Sequence, residues 1–78
     1  MKFISKVDAI REQKSITTVE LAKRAGVSRQ AIHKARQDEG IAECRLSTLG
    51  RIASALGVKT KRLYDEVEGQ EAGPADRE

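Results

Sequence analysis

The sequence predicts an all-α domain of five short helices, and three observations carry that reading. Leu, Ile, Val and Ala must build the core, because Phe3 and Tyr64 are the only aromatic residues and Trp is absent; an aliphatic core of this kind suits packed helices. Apolar residues recur at intervals of three and four. Hydroxyl residues able to cap helix starts alternate along the chain with glycines able to end them. No stretch alternates as a half-buried strand would, and no internal repeat or glycine-rich phosphate loop occurs. The chain has 78 residues, and one this small buries only about 60% of its unfolded surface. That leaves room for one compact domain but not for a deep catalytic cavity.

Phe3, Ile4, Val7 and Ile10 fall on one helical face, so a first helix is expected over about residues 2–13. Thr17 and Glu20 have the spacing of a capping box, in which the hydroxyl accepts from the Glu20 N–H and the carboxylate accepts from the Thr17 N–H. The second helix then runs from Thr18 to Ala25, and Gly26 ends it because glycine takes the left-handed conformation without a steric cost. Ser28 can cap a third helix over residues 29–37. Residues 38–46 show no sustained period and read as a loop around Gly40.

Ser47 can cap a fourth helix with Leu49, Ile52, Ala53 and Leu56 on its apolar face and Gly57 at its end. Gly50 inside it would permit close approach of another helix. A short fifth helix is expected from Thr60 through Val67, with Leu63, Tyr64 and Val67 on one side. The domain therefore occupies residues 1–67. Residues 68–78 combine Gly, Pro and charge without apolar periodicity and read as an acidic, disordered tail.

The net charge of +3 conceals two opposite parts. Residues 1–64 hold 14 Lys and Arg against 6 Asp and Glu, a net +8, whereas residues 65–78 hold 1 against 6, a net −5. A basic small domain points to a polyanionic partner. The lone Cys44 cannot form an internal disulfide, which favours a reducing compartment and a packing role for the thiol. No basic-then-apolar leader and no bilayer-length apolar run is present, so a soluble cytoplasmic protein without membrane association is expected. His33 and Cys44 are too few soft donors for a zinc site, and neither a metal nor a cofactor is expected. One histidine without a carboxylate and a nucleophile beside it also argues against an enzyme.

The stretch "GVSRQAIHKARQ", residues 26–37, carries the most specific signal. At about 100° per residue, Arg29, Gln30, His33, Lys34, Arg36 and Gln37 share an arc of roughly 160°. Ala31, Ile32 and Ala35 lie opposite. A solvated helix face mixes acids with bases to form i,i+4 pairs, yet no acid stands between Gly26 and Gln37. Arg and Lys can pair with guanine, Gln can pair with adenine, and all the cations can meet phosphates. Arg36 has an alternative use in neutralising Asp38 or Glu39, and His33 could equally stand idle in solvent.

Leu21, Ala22, Ala25, Gly26, Val27, Ile32 and Ala35 stand where two helices crossing over a tight turn need small or plugging residues. "TVELAKRAGVSRQAIHKARQ" resembles the helix-turn-helix of the lambda repressor and Cro type, the XRE family, and "LSTLGRIASALGVKTKRLYDE" resembles its fourth and fifth helices. The resemblance implies a compact five-helix lambda-repressor-like domain whose third helix enters the DNA major groove. By position it makes Arg29, Gln30 and Lys34 base readers, with Gln37 and His33 as further candidates. Thr17, Thr18 and Ser28 would meet phosphates at helix starts, and Arg45 and Ser47 would add backbone contacts. Gly50 and the extended 38–46 loop depart from the family pattern, which affects the placing of Arg45 and Ser47.

The implied protein is a sequence-specific, double-stranded-DNA-binding transcriptional regulator, a repressor acting on a palindromic operator as a homodimer. Leu63, Tyr64 and Val67 read equally as dimer contacts and as packing of the fifth helix on the core. "IHKARQDEG" followed by "LSTLGRIASALG" is also similar to helix-turn-helix antitoxins, for which a small protein partner is expected. A restriction-modification controller fits the same pattern. A protein-interaction module without DNA binding is the reading from a different class.

Overall fold

The computed structural model describes residues 2–67, so the expectation for residues 68–78 lies outside the described residues. Five α-helices carry the domain: α1 (Val7–Gln13), α2 (Thr18–Ala25), α3 (Arg29–Ala35), α4 (Asp38–Ala42) and α5 (Leu46–Leu56). A 3-10 turn follows at Thr60–Leu63. Two short strands, β1 (Lys2–Ser5) and β2 (Tyr64–Val67), pair antiparallel in a minor sheet.

The middle of the chain obeys its local signals. Thr17 Oγ1 accepts from the Glu20 N–H at 3.1 Å and starts α2. The reciprocal half of the capping box does not form, because the Glu20 carboxylate is taken by Arg24 one turn later at 2.7 Å. Gly26 closes α2 at φ 70°, and the Val27 N–H returns to the Ala22 carbonyl. Gly57 ends α5 in the same way at φ 72°, with the Val58 N–H on the Ala53 carbonyl. Both are the helix stops that a left-handed glycine permits.

The core unites what these turns fold together. Val7, Leu21, Ile32, Ile52, Leu56 and Leu63 are its most completely buried large side chains. α5 lies against α2 and the 3-10 turn, while α3 is held by α2, α4 and α5.

The ends of the domain depart from the sequence reading. Residues 2–5 are a strand rather than the first turn of a helix, in the register Lys2↔Val67, Phe3↔Glu66, Ile4↔Asp65 and Ser5↔Tyr64. Phe3 packs edge-on against Tyr64 with ring centroids 5.6 Å apart. The expected fifth helix stops at Leu63 because the Leu63 carbonyl accepts from the Lys6 N–H at 2.7 Å. That carbonyl is then lost to a continuing helix, and Tyr64–Val67 joins β1 instead.

The expected 38–46 loop contains α4. Asp38 and Glu39 sit favourably in its first turn, and Ile41, buried, anchors it. Gly40 is a contact residue rather than a loop breaker. A Cβ there would collide with the Lys34 carbonyl oxygen of α3. Gly50 has the opposite character, since a Cβ on it would meet only Thr60 Oγ1 in an ordinary contact at 3.9 Å. The close helix approach expected at Gly50 therefore occurs at Gly40.

These two glycines make a paired prediction for chemical denaturation. Gly40→Ala should lower stability by about 1–3 kcal/mol through overpacking. Gly50→Ala should raise it by roughly 0.5–1 kcal/mol, because helical glycine is entropically costly.

Candidate nucleic-acid interface

α3 has seven residues, too few to hold a helical shape alone in water. Its start is fixed by Ser28, whose Oγ accepts from the Ala31 N–H at 3.1 Å. Its inner side is fixed by Ile32 and Ala35, which are buried. Sequestering a side chain such as Ile32 contributes about 1.5–3 kcal/mol. With that face inward, Arg29, Gln30, His33 and Lys34 are exposed. Arg29 and Gln30 make no side-chain hydrogen bond or ion pair among the described residues.

The start of α2 adjoins this face. Thr18, Val19, Arg29, Ile32, His33 and Arg36 line one shallow hollow of about 230 Å³. Thr17 and Ser28 already accept backbone N–H groups through their hydroxyl oxygens, which leaves each hydroxyl hydrogen able to donate outward. The structure thus brings Thr18, Arg29 and His33 together, with Gln30 exposed on the same short helix.

Three expected members occupy different settings from those on the helical wheel. α3 ends at Ala35, so Gln37 is not on it; Gln37 is the extended residue preceding α4, and its Nε2 lies 3.1 Å from His33 Nε2. Lys34 is exposed but lies 3.5 Å from Glu43 at the end of α4. Surface pairs of this kind contribute little, so the Lys34 ammonium can be drawn off by a polyanion. Arg36 is not paired with Asp38 or Glu39. Its Nε donates to both oxygens of Asp8 at 2.8 and 3.0 Å, tying the end of α3 to α1.

Arg45 is exposed at the extended position immediately before α5, with no side-chain capping bond. Ser47 is not the cap that the sequence suggested, since α5 already begins at Leu46. Arg51 was missed by sequence reasoning. Its guanidinium reaches the helix-turn-helix turn, where a Cβ on Gly26 would stand 3.7 Å from the nearest Arg51 nitrogen. Only the crossing of α5 over α2 brings the two together, and no local motif signals it. Among the expected dimer contacts, Leu63 has no exposed surface and belongs to the core. Tyr64 is half-buried against Phe3, and Val67 is exposed.

A carboxylate fixes the far end of α3. Asp8 receives Arg36 from the C-cap of α3 and Arg11 from its own helix, while Arg11 also donates to the Ile16 carbonyl at 3.0 Å. Desolvation pushes the Asp8 carboxyl upward, but the hydrogen bonds and charges of Arg36 and Arg11 together outweigh it and hold the group below its ordinary 3.8. Cys44 is a packing residue whose Sγ donates to the Gly40 carbonyl at 3.4 Å, and burial pushes its thiol up.

The family model for the Cro/C1-type HTH DNA-binding domain matches residues 6–65. The chain belongs to this family, which is one of DNA-binding regulators and not an enzyme family. No curated protein matches the sequence. Among the described residues no helix is long and apolar enough to cross a membrane.

The Asp8 contacts set an acid dependence. A carboxyl with a lowered folded pKa stabilises above its unfolded value, and that contribution disappears as pH falls through the folded value. Melting temperatures followed from about pH 7 to about pH 2 should fall less steeply for Asp8→Asn than for the parent, with the difference arising below the ordinary 3.8 of the carboxyl.

Proposed function

We propose that the protein is a sequence-specific transcriptional repressor that binds a palindromic operator as a homodimer, with α3 in the major groove. The observation that carries this reading is the pairing of unengaged Arg29 and Gln30 with the buried seam of Ile32 and Ala35. Two groups suited to bidentate base recognition are held at the front of a short, rigidly docked helix. His33 and Lys34 extend the reading surface along α3, and Gln37 reaches it from the turn before α4.

Thr17, Thr18 and Ser28 would meet phosphates at the starts of α2 and α3, where free hydroxyl hydrogens and helix N-termini favour an anion. Arg45 would neutralise a further phosphate from the start of α5. One such domain reads only a few base pairs, so two copies on half-sites about one helical turn apart are needed for useful selectivity. With Leu63 in the core, Val67 and the exposed part of Tyr64 remain as the dimer contacts of this reading. Binding to the gene's own DNA also places the protein in the compartment that holds that DNA.

Footprinting on DNA around the protein's own gene, followed by titrations across salt, tests the proposal. Arg29→Ala should cost about 1–3 kcal/mol on the protected site and relax base preference at one position of each half-site. Arg45→Ala should weaken all sequences alike and reduce the salt slope by about 1. Absence of sequence preference at every salt concentration would overturn the reading.

A further inference from the structure

We propose that the trough between β1 and α4 is a docking site for a basic, amphipathic segment of a partner protein. The inference does not depend on which DNA sequence α3 reads. Two adjoining hollows of about 580 and 230 Å³ share Phe3 and Ala42 in their linings and together make up the trough. Its floor is Phe3, Ile41 and Ala42. Its ends are two large apolar side chains left in water, Ile4 at 41% exposure and Leu46 at 73%. Contiguous exposed apolar surface with a polar rim is the mark of an interaction site.

The rim decides the occupant. Asp38, Glu39 and Glu43 line the larger hollow against one base, Lys2. Elsewhere in the helices the acids are neutralised: Asp8 and Glu12 by Arg11, Asp8 again by Arg36, and Glu20 by Arg24. Among the described residues, Glu43 has a cation at the trough, Lys34 at a loose 3.5 Å, while Asp38 accepts the Ser5 N–H at 2.8 Å and Glu39 has no ion pair. Among the described residues, three carboxylates thus outnumber the two ammonium groups of Lys2 and Lys34 beside apolar surface on an otherwise basic domain.

Three occupants are disfavoured by charge. Duplex DNA has the same sign as the rim, and so does the stretch 68–78 of this chain. A second copy presenting the same face would set acid against acid. A segment with Leu-like side chains for the floor and Lys or Arg for the rim satisfies both requirements, in the manner of an amphipathic helix laid in a groove.

The test is a titration of isotope-labelled full chain, followed by amide shifts, with a short helical peptide of Leu and Lys and with its Leu-and-Glu counterpart. Saturable binding of the Lys peptide alone is expected, with shifts confined to residues 2–5 and 38–46. Ala42→Arg, which fills the floor, and the double change Glu39→Lys with Glu43→Lys, which reverses the rim, should each weaken binding by at least about tenfold. Both alter exposed positions, and unchanged melting temperatures would confirm that the fold survives. Equal binding of the Glu peptide, shifts on other faces, or variants that bind like the parent would each overturn the proposal. So would sedimentation showing a dimer that Ala42→Arg dissociates, because the occupant would then be a second copy.

Discussion

A helix of two turns cannot support itself, and the rest of the molecule is organised around that constraint. α3 receives a cap from Ser28 and buries Ile32 against its neighbours. Arg36, just past its last turn, is locked to Asp8. The first contact sets where the helix begins, the second how it is rotated, and the third how its far end is held. Together they leave the side chains at its front free of work inside the protein. Rigidity below and freedom above have one cause, because the polar side chains needed for support stand at the two caps of α3 and not on its exposed front.

Electrostatics follows the same division. Arginines that serve the fold, such as Arg11, Arg24 and Arg36, each hold a carboxylate. Among the described residues, Arg29 on α3 and Arg45 before α5 are exposed and hold no carboxylate, while Asp38, Glu39 and Glu43 gather where β1 meets α4. The exposed basic front of α3 and the acid-rimmed surface beside α4 are of opposite sign and favour oppositely charged ligands.

The helix-turn-helix was legible because its determinants are local. A hydroxyl three residues before an N–H, a glycine at a helix end and small residues at a crossing are all contained within about twenty positions. The sheet was not legible, because Phe3 and Ile4 fit a helical period as well as a strand and their partners lie more than sixty residues away. Gly40 misled for a related reason: its lack of a side chain serves contact with the Lys34 carbonyl, which local sequence does not display. The candidate site was legible in its front half, Arg29, Gln30 and His33. Its back half was not, since Arg36 and Lys34 find their acids in Asp8 and Glu43, and the absence of acids from the α3 stretch is a property of sequence and not of space.

The pairing of Lys2 with Val67 has a topological consequence. Paired strands bring opposed Cα atoms to about 4.5–5.5 Å, so the chain from residue 2 to residue 67 is nearly a ring with the helix-turn-helix along its arc. Joining these two positions by a short linker would leave every helix in place. New ends could then be opened elsewhere, away from the single corner of the domain that residues 2 and 67 share.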